Sequence, residues 1–153
     1  MAEANWYELR AEPRDRDYES LLRAALKMRC ARLVLVYQRR PRRDSVAAQL
    51  HAAIQEWMVA DELTHDLPMR RAGRAERLRE YQWTAETCDA VIRAAAGLYE
   101  WDGGGLPEDL SLKRADGRYW LMTQGHEREG IVKLTTAERA ELERLWPTAG
   151  QFL

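Results

Sequence analysis

Five consecutive residues, Leu33-Val34-Leu35-Val36-Tyr37, form an unbroken apolar run with alternating β-branched valines. The run is too short for a stable helix, and it lacks the alternation of a strand with one wet face. It therefore predicts a strand covered on both sides, the centre of a sheet around which the rest of the chain must be arranged. Trp6-Tyr7-Glu8-Leu9-Arg10 alternates weakly and predicts a short first strand, closed by Pro13.

The chain after Gly103-Gly104-Gly105 supplies the other strands. Leu110–Leu112 and Tyr119–Met122 flank Asp116-Gly117, a pair that tolerates the positive φ of a tight hairpin turn. A second connection, Gly125 to Gly130, leads to Ile131–Leu134, so three antiparallel strands in a meander are expected. Leu33–Tyr37 either joins that sheet or pairs with Trp6–Arg10.

Helices are expected at four places. Asp17 would cap the first, from Tyr18 to about Arg29. The second starts after Asp44 or Ser45, carries Val46, Leu50, Ala53, Ile54, Trp57 and Leu63 or Ala60 on one stripe, and ends near His65 before Pro68. The third opens at Thr84 with Cys88, Val91, Ile92, Ala95 and Tyr99 at helical spacing. The fourth has the capping box Thr135-Thr136-Ala137-Glu138 and the stripe Leu142, Leu145, Trp146. Met69 to Gln82, rich in arginine and poor in apolar residues, reads as a loop or short exposed helix. The expected fold is α+β: an antiparallel sheet made of the C-terminal meander and an N-terminal strand pair, with about four helices packed mainly on one face. Residues 1–153 are expected to form a single domain, helix-rich over 1–102, strand-rich over 103–134 and ending in a helix over 135–146.

At 153 residues with 46% hydrophobic and 32% charged residues, such a chain can bury roughly 70% of its unfolded surface without a metal or disulfide staple. Cys30 and Cys88 lie in segments read as helical, without a CxxC or Cys/His neighbourhood, and are expected as reduced, buried thiols. No apolar leader follows Met1 and no run nears the roughly 20 residues needed to cross a bilayer, so a cytoplasmic location is expected. Only Lys27, Lys113 and Lys133 are lysine against abundant arginine and alanine, a codon bias of GC-rich bacterial genomes.

Catalytic signatures are absent from the sequence. The three glycines lack a following GKS/T, no serine stands in GxSxG, and neither cysteine has an electropositive setting. Asp61, Glu62 and His65 would share a helix face, but a helical metal site needs a second such segment, so neither metal nor cofactor is expected. His51 reads as a helix-boundary histidine. His126-Glu127 lies in a glycine-flanked turn, where Asp102, Glu108 or Asp109 could approach it; a small hydrolase or lyase using His126 and a carboxylate is the enzymatic alternative.

Charge is segregated although the net charge is −1. Arg39, Arg40, Arg42 and Arg43 surround Pro41, and Arg70, Arg71 and Arg74 open a second basic stretch. Together they are the candidate polyanion site of a nucleic-acid-binding accessory protein. Six tryptophans accompany the arginines, a pairing enriched at protein interfaces. Trp57, Trp83 and Trp146 fit helical core stripes; Trp6, Trp101 and Trp120 fit less well. The leading expectation is a non-catalytic protein that holds another protein, with Arg118, Trp120, His126 and Glu127 as its contacts. Leu106-Pro107-Glu108-Asp109-Leu110, Asp116-Gly117-Arg118, Trp120-Leu121 and His126-Glu127 resemble patterns in small bacterial proteins, some of them similar to immunity proteins that neutralise toxins. That resemblance covers about the last third of the chain, implies an inhibitor-type role, and fixes no functional residue.

Overall fold

A computed structural model describes residues 2–37 and 43–153. Among them, seven strands form one antiparallel sheet in the order β1-β7-β6-β5-β2-β4-β3. The strands are β1 (Asn5–Glu8), β2 (Cys30–Tyr37), β3 (Met58–Leu67), β4 (Arg70–Gln82), β5 (Glu108–Arg114), β6 (Tyr119–Gln124) and β7 (Glu129–Leu134). The α-helices are α1 (Arg16–Lys27), α2 (Val46–Ile54), α3 (Ala85–Ala94) and α4 (Thr136–Leu145).

The apolar run is central, as its composition requires. Strand β2 lies between β5 and β4, with Leu33 opposite Leu112 on one side and Tyr81 on the other. Its alternation divides the interior in two. Leu33, Leu35 and Tyr37 join a large core with Tyr18, Leu22, Leu50, Val91 and Leu142 from all four helices. Val34 and Val36 face away and join a small separate core with Leu67 and Leu78. Among the described residues, helices thus cover one face and the other carries a short apolar patch. The first strand pairs with β7, not with β2: Asn5 stands opposite Leu134 and Glu8 opposite Ile131.

Local chemistry sets most boundaries. Thr84 and Thr87 form a reciprocal cap on α3, and Thr135 and Glu138 do so on α4. Gly117, at φ 85°, completes the β5–β6 turn while Arg114 bonds back to Arg118. Asp17 is not the cap of α1. Asp15 precedes that helix without a side-chain bond, and Asp17 accepts from Trp146 Nε1 at 2.9 Å and from the Thr148 hydroxyl. Cys30 opens β2 instead of closing a helix, and α3 ends at Ala94, leaving Tyr99 in a separate 3-10 turn. Both cysteines are free and buried.

The largest departure is between Gln55 and Gln82. Helix α2 stops at Ile54, and after a 3-10 turn the chain enters the β3–β4 hairpin. Leu63 therefore lies on a strand, and the stretch Met69–Gln82 is almost entirely strand. Cross-strand pairing outweighs the weak helical stripe. Asp61 stands opposite Arg79, and its carboxylate meets Arg77 at 2.6 Å and Arg79 at 3.4 Å. Leu78 and Tyr81 then point to opposite faces and enter different cores. Four of the seven strands precede Gly103, two more than the Trp6–Arg10 and Leu33–Tyr37 strands expected there, beside three of the four α-helices.

Candidate interaction surface

The β5–β6 hairpin presents Arg118 as the turn chemistry predicts. Its side chain is 76% exposed. Asp116 holds it, accepting from the Arg118 backbone N–H at 2.9 Å and from Nε at 3.0 Å. Beside it lies a groove of roughly 470 Å³ whose lining includes Arg114, Arg118, Tyr119 and Lys133. Arg114 is fixed there by Glu138 at 2.6 Å and by the Lys133 carbonyl at 2.7 Å. Lys133 Nζ stands 5.3 Å from the ring centroid of Trp6, and Trp6, on edge strand β1, is 43% exposed.

Trp120 does not belong to this surface. It is fully buried, at 0% exposure. One residue of β5 is matched by two of β6 where Leu112 faces Leu121 and Lys113 faces Tyr119. Trp120 is the extra residue, and the bulge lets adjacent Trp120 and Leu121 enter the same core while Tyr119 packs on the opposite face. Its indole N–H finds no partner there. Trp101 is buried as well, donating from Nε1 to the Tyr18 hydroxyl at 3.1 Å.

His126 and Glu127 are exposed in the Gly125–Glu127 3-10 turn after β6. His126, 69% exposed, has Nε2 3.9 Å from Glu108 Oε1. Glu108 and Asp109 are tied to the β3–β4 hairpin by Arg70, which donates from Nη2 to Glu108 at 3.1 Å and from Nε to Asp109 at 3.2 Å. Asp109 is a non-glycine residue at φ 57°, its side chain is 1% exposed, and its second oxygen accepts from the Gly125 N–H at 3.1 Å. Burial lifts both carboxyls above their ordinary range; the charge of Asp109 adds to the rise at Glu108, while the Gly125 amide and Arg70 only partly offset it at Asp109.

Of the two basic stretches, the second is described in full. Arg39, Arg40 and Arg42 lie outside the described residues; Arg43 is exposed ahead of α2. Arg71 meets Asp66 at 2.7 Å and Arg74 meets Glu76 at 3.6 Å. With Arg70 on Glu108 and Asp109, each predicted basic contact of this stretch already faces a carboxylate. Asp61 and His65 are separated by four strand residues, roughly 13 Å, instead of one helical turn. Among the described residues no group of three or more His, Cys, Asp or Glu could hold a metal ion. Burial pushes both cysteine thiols up to about 12.

Sequence reading missed a buried hydroxyl chain. Tyr37 and Tyr81 hydroxyls are 2.8 Å apart, and Tyr81 is 2.8 Å from His51 Nδ1. Burial, followed by the charge of Arg79, lowers the His51 pKa. These contacts join Tyr37, Tyr81 and His51 in one hydrogen-bonded chain whose donor order follows the tautomer of His51. No residue spacing announces it, because Tyr81 arrives through the unforeseen strand β4. No protein-family model, curated protein or solved structure matches this chain, and among the described residues no helix is long and apolar enough to cross a membrane.

Proposed function

We propose that this chain is a non-catalytic binding protein that holds a partner protein, as a small bacterial inhibitor or immunity-type protein does. Its contact surface is the rim of the groove beside β1: Trp6, Lys133 and Arg118. One observation carries the reading. Among the six tryptophans, Trp6 alone is exposed, and it stands on an edge strand beside the Lys133 ammonium. Aromatic and arginine anchors of this kind supply most of the energy at protein interfaces, which bury about 800 Å² per partner. Nucleic-acid binding has less support because Arg70, Arg71 and Arg74 are paired with acids. Acid–base chemistry at His126 has Glu108 in its favour, but that carboxylate also serves Arg70.

The experiment is affinity capture of the full chain from its native host, repeated with Trp6→Ala and Arg118→Glu, each variant's fold checked by circular dichroism. A stoichiometric protein partner retained by the wild type and lost from both folded variants is expected. A partner held equally by all three, or none at all, overturns this surface.

A further inference from the structure

Among the described residues, the β2–β4 register runs as far as Tyr37 opposite Arg77, and Arg77 in turn faces Leu63 on β3. Residues 64–76 are the turn end of the β3–β4 hairpin, a two-stranded strap that turns tightly where Leu67 faces Arg70 and Met69 takes φ 62°. The strap folds onto the face that no helix covers. Leu67 and Ala72 close over Val34, Val36 and Leu78, reaching Tyr119 on β6.

Among the described residues, the polar ties of the strap are internal with one exception. Arg71 binds Asp66, Arg74 binds Glu76, and His65 Nδ1 meets the Ala72 carbonyl at 3.2 Å. Only Arg70 reaches the body, gripping Glu108 and Asp109 at the start of β5. Asp109 is held there in a left-handed backbone conformation, away from solvent, and its other oxygen anchors Gly125 at the base of the His126 turn.

We infer that residues 64–76 are a latched strap: Arg70 on Glu108 and Asp109 holds it shut, and it opens as a unit that leaves the helix-covered core intact. The small core is separate from the large one, so lifting the strap costs few apolar contacts, the condition for a sub-global opening. A backbone held in a sparsely populated conformation at the latch belongs to switch regions when the surroundings enforce it. Opening uncovers Val34, Val36 and the Asp109 carboxylate beside the His126 turn, giving a second surface that the closed form hides. The inference does not depend on the partner reading above.

Hydrogen exchange of the full chain, read by mass spectrometry, tests it with Arg70→Ala, Arg70→Lys and Leu67→Ala. Arg70→Ala should lower protection across 64–76 at least about tenfold, roughly 1.4 kcal/mol, while β5, β6, β7 and α1 exchange as in the wild type. Arg70→Lys, which keeps the charge but loses the fork, should fall between them. Leu67→Ala should deprotect the same residues. Unchanged exchange in the strap, or deprotection spread evenly over the sheet in Leu67→Ala and Arg70→Lys, overturns the inference.

Discussion

Gly125→Ala is the sharpest probe of how the β6–β7 connection is built. A Cβ at Gly125 would stand closer than 3.0 Å to the Trp101 carbonyl and to Asp102 Cα, all of it backbone. That backbone cannot retreat freely: Trp101 is fully buried, and its carbonyl accepts from Asp109 N–H at 2.9 Å. Forcing a methyl into such a site costs about 1–3 kcal/mol. The displaced Gly125 N–H also loses the Asp109 carboxylate, a buried charged hydrogen bond contributing about 1.5–3 kcal/mol. The smaller entropy of the unfolded alanine chain offsets about 0.4–1 kcal/mol. A net loss of about 1.5–5.5 kcal/mol is expected, which lowers Tm by roughly 3–22 °C for a chain of this size. Urea and thermal denaturation followed by circular dichroism measure it, with Gly73→Ala as the control, since nothing lies within 4 Å of a Cβ there. Gly73→Ala should stay within about 0.5 kcal/mol of the wild type. A Gly125→Ala protein that melts beside the control would refute the packing argument.

Two further outcomes follow from the core and its borders. Trp120→Ala should cost about 3–5 kcal/mol in urea melts, while Trp6→Ala, at an exposed site, should cost less than about 1 kcal/mol; equal costs would contradict the bulge that separates them. Burial pushes the Glu138 carboxyl up, but hydrogen bonds from Arg114 and the Thr135 amide more than reverse this and leave it lowered. A depressed folded pKa contributes stability above the ordinary value of 4.5 and loses it as pH falls through the folded value. The stability gap between wild type and Glu138→Gln should therefore be constant near neutrality and shrink below about pH 4.5; a gap that widens in acid would be the wrong sign.

What was legible in the sequence was local. Asp116-Gly117 carries its turn in its own backbone preferences, the Thr84 and Thr135 caps are satisfied within three residues, and Leu33–Tyr37 states its burial by lacking any polar alternation. The β3–β4 hairpin was not legible, because its strands are specified by each other: Asp61 gains its place only once Arg77 and Arg79 lie opposite. The same holds for the bulge at Trp120, which is defined by the register with β5 and not by Trp120's neighbours in sequence. At the candidate sites, Arg118 was exposed by its turn and read as such, and the approach of Glu108 to His126 was among those considered. That Arg70 would join them depended on a strand read as a loop.

The central position of β2 bears on how the chain reaches this state. Both flanks of β2 are supplied from far along the sequence, Leu33 facing Tyr81 and Leu112, and contacts of such separation put folding in the slow range. Until β4 and β5 arrive, five apolar residues remain bare on both faces, the kind of segment that pairs with its like in other molecules. Arg29 and Arg32 before the run, and Arg39 and Arg40 after it, place positive charge at both of its ends. Two such segments meeting in the unfolded state would bring those charges together, a repulsion of the kind that charges flanking an apolar strand supply against aggregation.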